Sequence, residues 1–93
     1  MKLVWTRQAL ADRRAIYDHI EADNPVAAID LDELLSAKVA RLQNHPELGR
    51  PGRVKGTREP VAHRNYILIY DTVGEMVRVL RVLHAARQWP PSG

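Results

Sequence analysis

The sequence predicts an α+β fold in which a helical hairpin packs on a small, mainly antiparallel sheet, in the order β-α-α-β-β-β. Two segments with apolar residues at helical spacing lie between residues 7 and 44, and two strand-like runs follow at Tyr66–Tyr70 and Met76–Leu83. A chain of 93 residues is long enough for one domain with a modest core, so residues 1–93 are expected to form a single domain.

The first half of the chain carries clear start and stop signals. Leu3, Val4 and Trp5 favour a first strand over Lys2–Trp5. Thr6 suits the N-cap of a helix that runs to about Ala22. Asn24 and Pro25 suit the N-cap and first position of a second helix, which should end near Asn44 because His45 precedes a proline.

Each predicted helix has an apolar face. The stripe on the second helix is the stronger one and comprises Ile29, Leu31, Leu34, Leu35, Val39 and Leu42; the first helix offers Leu10, Ile16, Tyr17 and Ile20. This stripe and the flank of the first helix are candidate docking grooves for a partner.

The second half predicts a basic loop over 49–59, a sheet over 60–84 and a tail over 85–93. Pro60 confines the Val61–His63 strand to a strand start or an edge, and Val73-Gly74 fits a hairpin turn. In the last strand, alternation puts Met76, Arg78, Leu80, Val82 and His84 on one face and Val77, Val79, Arg81 and Leu83 on the other. Arginines in so apolar a strand require partners or an open face.

Charge and composition narrow the function. The net charge of +3 comes from the second half, which has eight basic residues against four acidic ones. This charge fits a surface for nucleic acid or an acidic protein, and it fits a solvated basic face equally well. The absence of cysteine suits a reducing compartment. No leader-like or membrane-spanning run is present, so we expect a cytoplasmic protein without membrane contact.

Three segments together resemble the RelE/ParE superfamily of bacterial type II toxin–antitoxin toxins. After the helical hairpin comes Gly49-Arg50-Pro51-Gly52-Arg53-Val54-Lys55-Gly56-Thr57-Arg58-Glu59, then Tyr66-Ile67-Leu68-Ile69-Tyr70, then Val79-Leu80-Arg81-Val82-Leu83-His84-Ala85-Ala86-Arg87-Gln88-Trp89. The resemblance covers essentially the whole chain.

The resemblance implies a toxin restrained by a cognate antitoxin, without a cofactor or metal. RelE-like members cut mRNA on the ribosome, whereas ParE-like members poison DNA gyrase and cut no RNA. We expect the ribosome-dependent endoribonuclease activity, with the gyrase inhibitor as the alternative. A basic nucleic-acid-binding module without toxicity is a third, weaker hypothesis because the strands lack interleaved aromatic residues.

For RNA cleavage the resemblance assigns a catalytic set and a target-binding set. The catalytic set is His84, Arg87, Arg58, Arg64 and His63, with His84 as base or acid and the arginines on the phosphate. The target-binding set is Arg53, Lys55, Arg78, Arg81 and Trp89, with Trp89 stacking on a base.

Several of these residues have structural alternatives. His84 could be a strand-end histidine bound by backbone, His63 and Arg64 an exposed pair, and Arg81 a brace of the sheet or a ligand for antitoxin carboxylates. A metal site from His63, His84 and Asp71 is a remote alternative. The sequence also departs from the ribonucleases, because Arg53-Val54-Lys55 replaces their Lys-x-Lys pattern and their late tyrosine is missing.

Overall fold

The computed structural model describes residues 1–87, 89 and 90 and confirms the α+β fold class, with two helices packed on a mixed, mostly antiparallel sheet. The elements are β1 (Lys2–Trp5), α1 (Arg7–Glu21), α2 (Pro25–Leu42), β2 (Arg50–Pro51), β3 (Thr57–Glu59), β4 (Val61–His63), β5 (Tyr66–Val73) and β6 (Met76–His84). None of the described helices is both long and apolar enough to cross a membrane.

The sheet has the strand order β1-β6-β5-β3-β2, and β4 pairs with the first residues of β5. β1 runs parallel to β6, while every other recorded pairing is antiparallel. The segment 49–59, predicted as a loop, instead contributes β2 and β3 to the sheet. Two- and three-residue strands are too short to leave an alternating pattern in the sequence.

Local signals at both helix starts are confirmed. The Thr6 hydroxyl accepts from the Ala9 N–H at 3.1 Å, and the Asn24 side chain accepts from the Ala27 N–H at 3.1 Å. α2 ends at Leu42, two residues before the predicted end, and Pro25 occupies the first turn as expected.

The main core lies between α2 and the helix-facing side of the sheet. Leu31, Leu35, Val39 and Leu42 are at most 8% exposed, so most of the α2 stripe packs inside the protein and the prediction that it offers a docking groove was wrong. Ile29 and Leu10, assigned to the apolar faces, are 47% and 51% exposed because they lie away from the sheet.

A β-bulge changes the faces of β6. Tyr70 pairs with Val79 but Ile69 pairs with Arg81, which leaves Leu80 as an extra residue. Val82 therefore joins Val79 in the core under the helices, and the predicted alternation is wrong beyond Val79. The β5–β6 turn is Gly74-Glu75, one residue later than predicted.

The opposite side of the sheet carries a smaller apolar cluster. Ile67, Ile69 and Leu83 are at most 4% exposed, and Leu80 and Trp89 pack against them. We call this side the open face, because no residue of α1 or α2 belongs to its cluster. Trp89 brings the C-terminal segment back over it. Of the tail predicted over 85–93, Gln88 and 91–93 lie outside the described residues.

Candidate functional site

One end of the sheet brings together three aromatic rings. His63 pairs with Tyr66 across β4 and β5, and Tyr66 pairs with His84 across β5 and β6. The ring centroids of His63 and Tyr66 are 6.2 Å apart, and those of Tyr66 and His84 are 5.5 Å apart in an edge-to-face arrangement. The two predicted catalytic histidines therefore flank a half-buried tyrosine.

Both histidines accept a hydrogen bond from the backbone two residues later. The Asn65 N–H donates to Nδ1 of His63 at 3.3 Å, and the Ala86 N–H donates to Nδ1 of His84 at 3.1 Å. Because a backbone N–H can only donate, Nδ1 of each ring carries no proton in these bonds, and Nε2 is the protonated nitrogen of the neutral ring. His84 is thus bound by backbone, as its structural alternative anticipated, and its Nε2 is the nitrogen that a ligand could use.

His84 opens into a groove between α1 and the end of β6. The groove has a volume of about 290 Å³, and its lining includes His19, Tyr66, His84 and Arg87. His19 was assigned no role from the sequence, since its position on α1 relative to His84 depends on how the helix crosses the sheet. Arg64 lies in the turn beside His63 and is exposed.

Arg58 lies at a different place on the sheet. It pairs with Tyr70, four residues along β5 from Tyr66, a separation of about 13 Å at the usual rise per residue. Its Nη1 donates to the Gly49 carbonyl at 2.9 Å. The five predicted catalytic residues therefore do not converge: four gather at the histidine end and Arg58 does not.

Two predicted target-binding arginines are held by carboxylates. Arg81 makes two hydrogen bonds to Asp12, at 2.7 and 2.9 Å, with both side chains at most 13% exposed. Its hydrogen bonds with Asp12 raise the pKa of Arg81. Arg78 makes two bonds to Asp71 across the β5–β6 pair, at 2.9 and 2.6 Å, and these bonds raise the pKa of Arg78. Arg81 therefore binds a carboxylate of its own chain, as expected for a brace of the sheet, the first of its two structural alternatives.

The remaining predicted target-binding residues lie in the turn between β2 and β3 and on the open face. Arg53 and Lys55 are exposed in the turn between β2 and β3. Trp89 packs on the open face, and the Arg81 guanidinium lies 5.9 Å from the centroid of its ring. A residue that sequence reasoning missed, Glu59, is 1% exposed beneath this turn and accepts from the Arg53 N–H at 2.8 Å.

A second groove lies between the end of α2 and β4. It has a volume of about 380 Å³ and apolar lining residues that include Leu48, Pro60, Val61 and Leu68. Its charged lining residues are Lys38, Arg41, Arg50 and Glu59. The groove depends on the loop after α2, which Tyr70 anchors through its hydroxyl bonds to the Pro46 carbonyl at 2.7 Å and to the Leu48 carbonyl. Burial raises the pKa of Tyr70.

The described residues contain no group of three or more histidine or carboxylate side chains placed to hold a metal ion. His63 and His84 flank Tyr66, whereas Asp71 lies five residues further along β5 and binds Arg78. The considered set of His63, His84 and Asp71 is therefore not assembled.

Comparison with known proteins identifies the family of this chain. The model of the family described as "ParE toxin of type II toxin-antitoxin system, parDE" matches residues 3–89. The chain therefore belongs to the ParE toxin family, and it is the toxin of a type II toxin–antitoxin module.

Individual relatives agree with this assignment. The Sinorhizobium fredii protein Y4kP is 40% identical over 90 residues, which cover 96% of this chain and 93% of that protein. Toxin RelE2 of Caulobacter vibrioides is 36% identical over 86 residues, covering 92% and 97%.

Solved structures give the same result for the fold. A chain of the chromosomal ParDE system from P. aeruginosa has a TM-score of 0.83 and 32% identity, covering 90% of this chain and 95% of that one. The YoeB/ParE toxin from Agrobacterium tumefaciens has a TM-score of 0.65 at 17% identity, covering 90% and 98%, and shares the fold.

Proposed function

We propose that this toxin arrests growth by binding DNA gyrase in the cytoplasm, and that it does not cut RNA. The observation that carries the proposal is the separation of Arg58 from the histidine end of the sheet. The endoribonuclease expectation from the sequence required these residues to act on one phosphate, so the gyrase alternative now has the better support.

The chemistry of RNA cleavage explains why this separation matters. A base must take the 2′-OH proton, cations must stabilise the phosphate as charge builds, and an acid must protonate the leaving 5′-oxygen. All these groups must lie within hydrogen-bond reach of one phosphate. The backbone of Arg58 lies about 13 Å along the sheet from that of Tyr66, and its guanidinium donates to the Gly49 carbonyl. The guanidinium of Arg81 already binds Asp12.

RNA cleavage remains the second candidate because of one specific observation. His63 and His84 flank Tyr66, and Arg87 lines the same groove as His84 and His19. Two imidazoles with an arginine nearby could serve as base, acid and phosphate ligand. In that mechanism His84 and Arg87 would carry the reaction at this end of the sheet, without Arg58.

The cognate antitoxin is the proposed partner in the restrained state. The groove between α2 and β4 suits it, because apolar side chains and three basic side chains line it, against one carboxylate, Glu59, that already accepts from the Arg53 N–H. An antitoxin segment that carries carboxylates beside an apolar side chain would match both features. Charge complementarity favours this groove over the α2 stripe, which is buried.

The two activities can be separated on one preparation of free toxin. One assay measures supercoiling by purified gyrase, and the other measures mRNA cleavage on programmed ribosomes by primer extension. We expect gyrase inhibition with intact mRNA. His84→Ala should leave that inhibition within about twofold, and His45→Ala, in the loop after α2, is the matched control.

Cuts within the ribosomal A-site codon that disappear in His84→Ala but persist in His45→Ala would overturn the proposal. That result would establish the second candidate and would assign His84 to catalysis.

A further inference from the structure

Glu59 carries a carboxylate that is buried in the fold. It lies on β3, is 1% exposed, and its Oε2 accepts from the Arg53 N–H at 2.8 Å. Its Oε1 lies 3.6 Å from Nε of Arg53, which is longer than a direct hydrogen bond. A buried carboxylate is costly to desolvate, so an apolar residue at this position would serve the core better.

The turn above Glu59 is tightly constrained. The Gly52 N–H donates to the Thr57 carbonyl at 2.7 Å, and the Thr57 hydroxyl donates to the Val54 carbonyl at 2.6 Å. A Cβ on Gly52 would lie 2.1 Å from the Thr57 hydroxyl oxygen, so only glycine permits this approach. The backbone of the turn is thus fixed at both ends, with Glu59 holding its centre at Arg53.

Arg53 connects this turn to the C-terminal segment. Its Nη1 donates to the Trp89 carbonyl at 3.4 Å, while the Trp89 ring lies under Arg81, which Asp12 holds. The indole N–H of Trp89 is buried and has no hydrogen-bond partner in the described part of the chain. Trp89 is therefore placed by apolar packing and by these two arginines, and not by its own polar group.

We propose that Glu59 is a positioning residue that fixes Arg53 and, through Arg53, Trp89. The turn and the C-terminal segment then form one basic surface, made of Arg53, Lys55 and Trp89, that engages an acidic surface of the toxin's protein target. The identity of that target rests on the proposed function, whereas the positioning role does not.

Tryptophan fluorescence tests the positioning role without any target. The chain has two tryptophans, so Trp5→Phe makes Trp89 the only reporter. In this background, Glu59→Leu, which removes the acceptor for the Arg53 N–H, and Arg53→Ala should both shift Trp89 emission to the red and increase its quenching by acrylamide. Glu75→Leu makes the same substitution in the exposed β5–β6 turn and should change neither signal. Unchanged Trp89 emission in both variants would overturn the positioning role.

Growth arrest on induced expression tests the surface independently of which target is poisoned. Arg53→Ala should weaken growth inhibition, with about a tenfold loss of target affinity in the purified assay, while antitoxin binding stays unchanged. Arg53 is exposed and does not line the groove between α2 and β4, so its substitution leaves that groove intact. Full growth arrest by Arg53→Ala would overturn the proposal that this surface engages the target. Absence of gyrase inhibition by the unsubstituted toxin would overturn only the identity of the target.

Discussion

Where β1 ends at Trp5, the edge of β6 loses its strand neighbour, and side chains near the start of α1 take its place. The Thr6 hydroxyl donates to the Leu80 carbonyl at 3.0 Å. The Asp12 carboxylate accepts from the Val82 N–H at 3.0 Å while it binds Arg81. One carboxylate thus satisfies an edge amide and a nearly buried guanidinium.

Substitution of Asp12 by asparagine should destabilise the fold strongly. Arg81 would keep its charge at 12% exposure without a carboxylate, so the free energy of unfolding should fall by about 3 kcal/mol. Urea unfolding measures this difference. Asp18→Asn is the control, because its ion pair with Arg14 is exposed and contributes at most about 0.5 kcal/mol. Equal effects of the two substitutions would contradict the role of Asp12.

Tyr70 should make the fold sensitive to alkali. Burial raises its pKa above the ordinary value of 10.0, so the folded state holds the phenol proton more tightly than the unfolded state. Its contribution is therefore complete below pH 10.0 and is lost as the pH rises through the folded pKa. Unfolding free energies measured from pH 8 to pH 11 should show the loss.

Tyr70→Phe should flatten part of that alkaline decline and lower stability at neutral pH by about 1 kcal/mol, because the hydroxyl bonds to Pro46 and Leu48 are lost. Tyr66→Phe is the matched control, since it removes a phenol that binds neither carbonyl. An unchanged alkaline decline in Tyr70→Phe would show that another group causes it.

For single side chains, the sequence predicts those hydrogen bonds whose partners are close together in the chain. Thr6 and Asn24 were predicted as caps because each bonds a backbone amide three residues later. The bond between Asp12 and Arg81 joins residues 69 positions apart, and nothing near either residue indicates it. The same holds for Glu59, which reads as one more acidic residue after a basic loop.

At the scale of the elements, the β5–β6 hairpin depends on the backbone conformation of Gly74. Gly74 has φ of +59°, and a Cβ there would meet no atom within 4 Å. A glycine at the first central position fits a type II′ turn, whose twist matches that of the strands.

Gly74→Ala should therefore lower the unfolding free energy by about 1–2 kcal/mol through backbone strain alone, since no clash arises. Thermal unfolding checks the change, with Glu75→Ala as the control for the neighbouring turn position. A neutral Gly74→Ala would mean that the turn adopts another conformation without cost.

The bulge in β6 explains why this element was only partly predicted. Met76–His84 reads as one strand, and the alternation up to Val79 is correct. The extra residue at Leu80 moves every later side chain of β6 to the opposite face of the sheet. Because both faces of this strand carry apolar residues, the sequence pattern does not reveal the shift. The histidine site was consequently located at the end of the strand but not on the correct face.

For the whole molecule, basic charge gathers around two surfaces that serve different partners in our proposals. Lys38, Arg41 and Arg50 line the groove between α2 and β4, while Arg53 and Lys55 lie in the turn between β2 and β3. The sequence predicted that the second half is basic, but it could not assign the basic residues to two separate surfaces. That assignment depends on which part of the folded sheet each segment reaches.

The cognate antitoxin should raise the melting temperature of the toxin, since a ligand present at 100 times its Kd adds about 2.7 kcal/mol of stability. Arg41→Glu should reduce this increase by reversing one charge in the groove, and Lys55→Glu should not. Calorimetry of each toxin with and without antitoxin makes the comparison. A larger effect of Lys55→Glu would move the docking site to the turn between β2 and β3.

The parallel pairing of β1 with β6 has a consequence for synthesis. Residues 2–5 pair with residues 76–79, so the first strand has no neighbour until β6 has been synthesised. The strand that is made first must therefore wait for one of the last-made strands before it can enter the sheet. The order in which the sheet assembles thus differs from the order in which the chain is synthesised.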